Sequence, residues 1–135
     1  MFDIAIKTEF SSAHNLREYL GKCEALHGHN WKVEVKLSSE KLDKIGMVMD
    51  FTKVKEITRD IIQDMDHKYL NDIPYFSAEG GSASGGKNIN PTSENIAKFI
   101  FDKVNQALSK ESKSVVLKSV TIWENDNSYA TYSKS

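Results

Sequence analysis

The stretch Lys22-Cys23-Glu24-Ala25-Leu26-His27-Gly28-His29-Asn30-Trp31, continued by Lys32-Val33-Glu34-Val35-Lys36-Leu37, decides how the rest of the chain is read. Trp31, Val33, Val35 and Leu37 alternate with Lys32, Glu34 and Lys36. A period of two gives a strand one apolar and one polar face. His27 and His29 share the parity of Trp31. If the strand begins that early, both imidazoles leave its apolar face, where two side chains two residues apart can grip one metal ion. An H-x-H pair alone is weak evidence; it gains weight with a third ligand and an acid/base group.

Working outward toward the N-terminus, Phe2, Ile4, Ile6 and Phe10 fall on one parity and Asp3, Lys7 and Glu9 on the other. This predicts a first strand starting almost at residue 1. Its parity, carried through Ser12, puts His14 on the apolar side. By itself His14 reads as a strand-end histidine satisfied by a backbone group. Together with His27 and His29 it reads as a third metal ligand, and three neutral imidazoles with an open fourth position form a catalytic zinc arrangement.

Composition bounds the function. The chain has 135 residues, a size that suits one domain (1–135) with a single core. A hydrophobic content of 39% with 27% charged residues describes a soluble globular chain. The net charge of -1, with acids and bases interspersed, lacks the basic footprint of a nucleic-acid binder. The apolar runs are too short for a bilayer span, and no signal peptide is read ahead of the first strand. One cysteine allows no internal disulfide, so a cytoplasmic compartment is expected and Cys23 is either an inert or a reactive thiol.

Downstream, Ser38 to Ile45 is a charged connection. Phe51, Val54, Ile57, Ile61 and Met65 recur at helical spacing, capped by Asp50 or Thr52. That helix is expected to end near Asp66-His67. The pair reads either as a surface turn or as an acid/base histidine, favoured as imidazolium by a helix C-terminus and by its neighbouring carboxylate. Tyr69 to Phe76 reads as a turn around Pro74. Ser77 to Asn90, rich in Gly, Ser and Ala, reads as a flexible loop. Pro91-Thr92-Ser93-Glu94-Asn95 opens a second helix with its stripe on Ile96, Phe99, Ile100, Val104, Ala107 and Leu108. Val115 to Trp123 and Ser128 to Tyr132 then form a hairpin around Asn125-Asp126-Asn127.

The order is two strands, two helices, two strands: an α+β fold with a four-stranded antiparallel sheet and two helices on one face. The other face carries Lys7, Lys32, Glu34 and Lys36 and can meet water. The sheet edges stay open, and neighbouring subunits are one way to close them.

A resemblance runs through these same segments. Ser11-Ser12-Ala13-His14, Cys23-x-x-x-His27-Gly28-His29-Asn30-Trp31, Gly46-Met47-Val48-Met49-Asp50-Phe51, Met65-Asp66-His67-Lys68-Tyr69-Leu70, Pro91-Thr92-Ser93-Glu94-Asn95 and Trp123-Glu124-Asn125-Asp126 occur in order over nearly the whole chain. Each is weak alone; together they resemble the 6-pyruvoyltetrahydropterin and 6-carboxytetrahydropterin synthase family. The resemblance implies the tunnelling fold, β-β-α-α-β-β, with subunits joined into a barrel, usually as a hexamer made of two trimers. It implies zinc on His14, His27 and His29, a catalytic thiol at Cys23, and an acid/base pair at Asp66 and His67. It further implies a carboxylate at Glu124 that anchors a pterin ring, with Thr92 and Ser93 near further ring contacts. The implied substrate is 7,8-dihydroneopterin triphosphate. The Cys-x3-His-Gly-His spacing is most similar to bacterial 6-carboxytetrahydropterin synthases of the route to the queuosine precursor. Glu24, three before His27, also matches a subgroup that cleaves the side chain to 6-hydroxymethyl-7,8-dihydropterin, and versions with both residues are suspected of both reactions.

Without the resemblance, Glu124 reads as a strand-end surface charge and Glu24 as a solvated loop residue. Two other function classes stay open on the residues alone. A zinc hydrolase would need neither Cys23 nor a pterin anchor, and a non-catalytic pterin- or metal-binding module would bind without turnover.

Overall fold

The computed structural model describes residues 1–20, 24–80 and 88–135. Cys23 and the middle of the Ser77–Asn90 loop lie outside the described residues. The elements follow the expected order. Strand β1 is Phe2–His14, β2 His27–Ser39, α1 Phe51–Ile62, α2 Ser93–Glu111, β3 Val116–Asn125 and β4 Ser128–Tyr132. The strands form one antiparallel sheet in the order β1-β2-β3-β4.

Register follows the apolar parity, because a slip of one residue would turn every buried side chain to the wrong face. Phe10 lies opposite Trp31 and Ile6 opposite Val35 across β1 and β2. Val33 pairs with Ile122 and Val35 with Val120 across β2 and β3. These side chains are buried, and they pack with Val54, Ile57 and Ile62 of α1 and Ile96, Ile100, Phe101, Val104 and Leu108 of α2 in one core. The opposite face is polar, as read: Lys7 pairs with Glu34, and Asp3 accepts from Lys118 and Ser38.

Both helices begin where side-chain oxygens can satisfy free N–H groups. Asp50 accepts from the Thr52 N–H at 2.8 Å, and the Thr92 hydroxyl accepts from the Asn95 N–H at 3.1 Å. Ahead of α1, Gly46 adopts φ +87°, a left-handed conformation that glycine reaches without strain. The turn there returns the Met47 carbonyl to the Asp43 N–H.

Two expectations are corrected. Helix α1 ends at Ile62, not near His67, because residues 63 to 67 turn to reach the edge of β1. Residues 69 to 76 are not a plain turn: they form two single-turn 3-10 helices, Leu70–Asp72 and Pro74–Phe76, that bury Leu70, Tyr75 and Phe76 against the core. The hydrophobic pattern there is real, but three-residue helices are too short to show a period.

Candidate metal centre and active site

The ends of β1, β2 and β3 bring four ligand atoms together. His14 ends β1, directly opposite His27 in register, and His29 lies opposite Ser12. On β3, Glu124 continues the inward parity of the buried Val120 and Ile122. One ligand atom from each of His14, His27, His29 and Glu124 lies within 4.8 Å of every other. Trp31 is fully buried beneath them, its ring edge-on to His14 and His29 at centroid distances of 4.9 and 5.0 Å.

The hydrogen bonds test whether a metal ion fits. His14 Nδ1 is 2.8 Å from the Pro91 carbonyl oxygen and His27 Nδ1 is 2.9 Å from that of Ala25. A carbonyl only accepts, so both rings carry a proton on Nδ1 and, when neutral, a lone pair on Nε2. Those two Nε2 atoms face each other at 3.0 Å. Two lone pairs repel at that distance, and a shared cation removes the conflict. His29 Nε2 is buried without a hydrogen bond, although Glu124 Oε1 is 3.2 Å away. The same oxygen is 3.6 Å from His14 Nε2. Backbone carbonyls that fix the outer ring nitrogens are the usual support of metal-binding histidines. Burial above all, with His27 and His29 adding to it, pushes the His14 imidazole below its ordinary value of 6.5, against the Pro91 carbonyl. The ring is therefore neutral and ready to ligate.

Asp66 and His67 form a second group. The segment from 66 to 69 docks on the free edge of β1: His67 N–H donates to the Ser11 carbonyl, and Ser11 N–H donates to Asp66 Oδ1 at 2.8 Å. His67 takes φ +57°, a conformation that costs a non-glycine residue on the order of 1–2 kcal/mol. Its imidazole is 82% exposed, with Nδ1 3.1 Å from Asp66 Oδ1. The Ser11 N–H first, and then His67, hold the Asp66 carboxyl below the usual carboxylate range. His67 thus keeps its carboxylate partner but stands on a turn, without the helix C-terminus expected for it. His67 opens on a cleft of about 500 Å³ that His29, Asn30 and Lys68 also line.

Other expected residues are distributed as follows. Glu24 is no free loop charge: its Oε1 accepts from the Leu16 N–H at 3.3 Å and stands 3.7 Å from His27 Nδ1. Thr92 and Ser93 begin α2 beside the Pro91 carbonyl that orients His14, and the Thr92 hydroxyl is engaged as a helix cap. Sequence reasoning missed the Pro91 and Ala25 carbonyls, since a main-chain oxygen leaves no residue-type signal. Trp31 was legible from alternation; Glu124, read from the residues alone as a strand-end surface charge, points inward because β3 runs on to Asn125, past the Trp123 end expected for it.

A family model described as 6-pyruvoyl tetrahydropterin synthase matches residues 3–135. The chain is 33% identical to the 6-carboxy-5,6,7,8-tetrahydropterin synthase of Haemophilus influenzae, an alignment covering 98% of this chain and 99% of that one. It is 32% identical to the dihydroneopterin monophosphate aldolase of Pyrococcus furiosus, covering 90% and 88%. Among solved structures, the 6-pyruvoyl tetrahydropterin synthase of Caenorhabditis elegans superposes with a TM-score of 0.76 at 27% identity, covering 99% and 96%. With the β-β-α-α-β-β order and the three-histidine cluster already in place, this end-to-end match means that the chain belongs to the 6-pyruvoyl tetrahydropterin synthase family.

Proposed function

We propose that this protein is a zinc-dependent 6-carboxy-5,6,7,8-tetrahydropterin synthase acting on 7,8-dihydroneopterin triphosphate, in the route to the 7-deazaguanine precursor of queuosine. The observation that carries the reading is the His14–His27–His29–Glu124 cluster in a chain that aligns over its full length with a carboxy synthase. The three imidazoles would hold the zinc. When bound, the ion supplies Lewis-acid polarisation of the substrate side chain, which eases loss of a carbon-bound proton.

The remaining work falls to the chain's own groups. Cys23, as a thiolate, takes that proton. Asp66 orients the His67 ring, which exchanges a proton at a second side-chain position. Glu124 accepts from the N–H groups of the pterin amidine edge. Because its Oε1 stands beside His29 and His14, the same carboxylate can instead complete the metal's ligand set. Thr92 and Ser93 contribute further ring contacts through the start of α2.

A second reading has its own observation. Glu24 stands beside His27, and a relative is named as an aldolase. A carboxylate there can deprotonate a substrate hydroxyl, which favours retro-aldol cleavage to 6-hydroxymethyl-7,8-dihydropterin. A 6-pyruvoyl product from triphosphate elimination is the third outcome within the family. The test is incubation of zinc-loaded protein with 7,8-dihydroneopterin triphosphate and identification of products by mass. A carboxy product supports the proposal; pyruvoyl or hydroxymethyl product alone replaces it with the corresponding alternative. No turnover with retained pterin binding would make the protein a binding module.

A further inference from the structure

The three residues that follow His14 lie in no helix or strand, yet their main-chain polar groups are taken by side chains or backbone from elsewhere. The Asn15 N–H donates to Asn71 Oδ1 at 3.0 Å, and Asn71 Nδ2 donates back to the Asn15 carbonyl at 2.8 Å. The Leu16 N–H donates to the Glu24 carboxylate, and the Glu24 N–H donates back to the Leu16 carbonyl at 2.8 Å. The Arg17 N–H donates to Asn90 Oδ1 at 2.8 Å, and Asn90 Nδ2 donates back to the Arg17 carbonyl at 3.0 Å. Each partner copies the two-bond exchange of a strand neighbour, but with a side chain as at least one half. A primary amide is suited to this, because it presents one acceptor and two donors on a planar group.

What these pairs join is the point. Asn71 belongs to the 66–71 segment that carries Asp66 and His67. Asn90 precedes Pro91, whose carbonyl orients His14, and its own carbonyl accepts from Asn95 Nδ2 at 2.9 Å. Glu24 precedes His27. Asn15 adds a cross-link of its own, donating from Nδ2 to the Glu24 carbonyl at 3.1 Å and accepting from the Tyr69 hydroxyl. The acid/base segment, the approach to β2 and the start of α2 therefore meet on residues 15 to 17. The acid/base segment and the start of α2 do so through the uncharged amides of Asn71 and Asn90, whose bonds do not change across the pH range in which histidines titrate.

We propose that Asn71 and Asn90 are positioning residues for the reaction. Asn71 sets the place of the Asp66–His67 segment, and Asn90 that of the α2 start, on the frame of residues 15 to 17. Misplacement of a catalytic group by about 1 Å costs as much as 100-fold in rate. This inference rests on the pterin-synthase reading for its catalytic consequence and on the hydrogen bonds alone for its structural one, so the test reads both.

The variants are Asn71→Ala, Asn71→Asp and Asn90→Ala, made in the full chain and loaded with zinc. Asn71→Ala is expected to lower kcat about 10- to 100-fold with KM changed less than about threefold and zinc content unchanged. Amide hydrogen exchange should rise at Asn15 in Asn71→Ala and at Arg17 in Asn90→Ala, while the amides of β2 and α2 keep their protection. Asn71→Asp keeps the acceptor for the Asn15 N–H but sets an anionic oxygen against the Asn15 carbonyl. Protonation restores a donor there, so its kcat relative to wild type should recover as the pH is lowered. A wild-type kcat in both alanine variants would overturn the proposal. So would loss of zinc in Asn71→Ala, or a uniform rise in exchange across the core, since either would make these asparagines supports of the fold or of the metal. If wild type fails to turn over 7,8-dihydroneopterin triphosphate while exchange rises only in the 15–17 segment, the substrate reading falls and the clamp stands. Unchanged exchange there removes the clamp whatever the activity.

Discussion

At the scale of single residues, His27 is the most exposed of the three histidines in the cluster yet directly faces His14 Nε2. His27→Ala is expected to lose zinc, read by metal analysis, with the fold retained because the core of Trp31, Val33 and Val35 does not involve the metal. Acid should act on the same cluster. In the metal-free protein folded His14 stays neutral below 6.5, where an unfolded histidine takes up a proton. The unfolded chain then binds more protons, so stability falls as pH drops through about 6.5 and is insensitive to this group above about 7.5. Thermal midpoints of metal-free protein between about pH 5 and 8 measure this, and His14→Asn should flatten the dependence. Glu124→Gln separates the two roles offered for that carboxylate. A ring anchor predicts pterin binding weakened by about one to two orders of magnitude with full zinc content; a metal ligand predicts reduced zinc affinity. Cys23→Ala is expected to abolish carboxy product while some hydroxymethyl product remains, and Glu24→Ala the reverse. Product ratios unchanged in Glu24→Ala would leave the carboxy synthase reading alone.

At the scale of elements, the start of α2 serves the site as well as the fold. The Thr92 hydroxyl caps the helix and the neighbouring Pro91 carbonyl holds His14. Thr92→Ala should therefore cost about 1 kcal/mol in urea unfolding of the metal-free protein. It should also weaken zinc binding in titration, and Thr92→Ser should restore both. The elements themselves were legible to differing degrees. Strands β1 and β2 alternate over many residues, and β4 matches its expected span, because alternation and a turn-rich boundary state period and end together. The end of α1 was misjudged because Met65 continues the helical stripe. It is buried as that stripe implies, but from a turn that leads residues 66 to 69 onto β1. A period reports which side of an element a residue is on, not whether the backbone between such residues is still helical or whether each is covered: Phe51, on the same stripe, is exposed at the first turn of α1.

At the scale of the molecule, among the described residues, no further strand pairs with the outer edges of β1 and β4. Edge strands of this length are templates for pairing with another chain. The expectation is a trimer-based assembly, a hexamer of two trimers, with a mass by light scattering three or six times the 15.3 kDa of one chain. A stable, active monomer would contradict it. Among the described residues no helix is long and apolar enough to cross a membrane.

The sequence by itself determined the element order, the buried parity of β1 and β2 and the convergence of His14, His27 and His29. Alternation assigns a side chain to a face, and hairpin-like pairing then brings strand ends together. It also marked Asp66 with His67, since adjacent residues need no fold to meet. Only the tertiary structure decided that Glu124 joins the histidines, that Glu24 is tied to Leu16, and that Asn71 and Asn90 clamp the segment between them. The first depends on β3 register, and the others on main-chain groups of residues 15 to 17, which lie 8 positions from Glu24, 56 from Asn71 and 73 from Asn90. Main-chain oxygens and N–H groups are the same at every residue, so where they point is a property of the folded backbone rather than of the residue types.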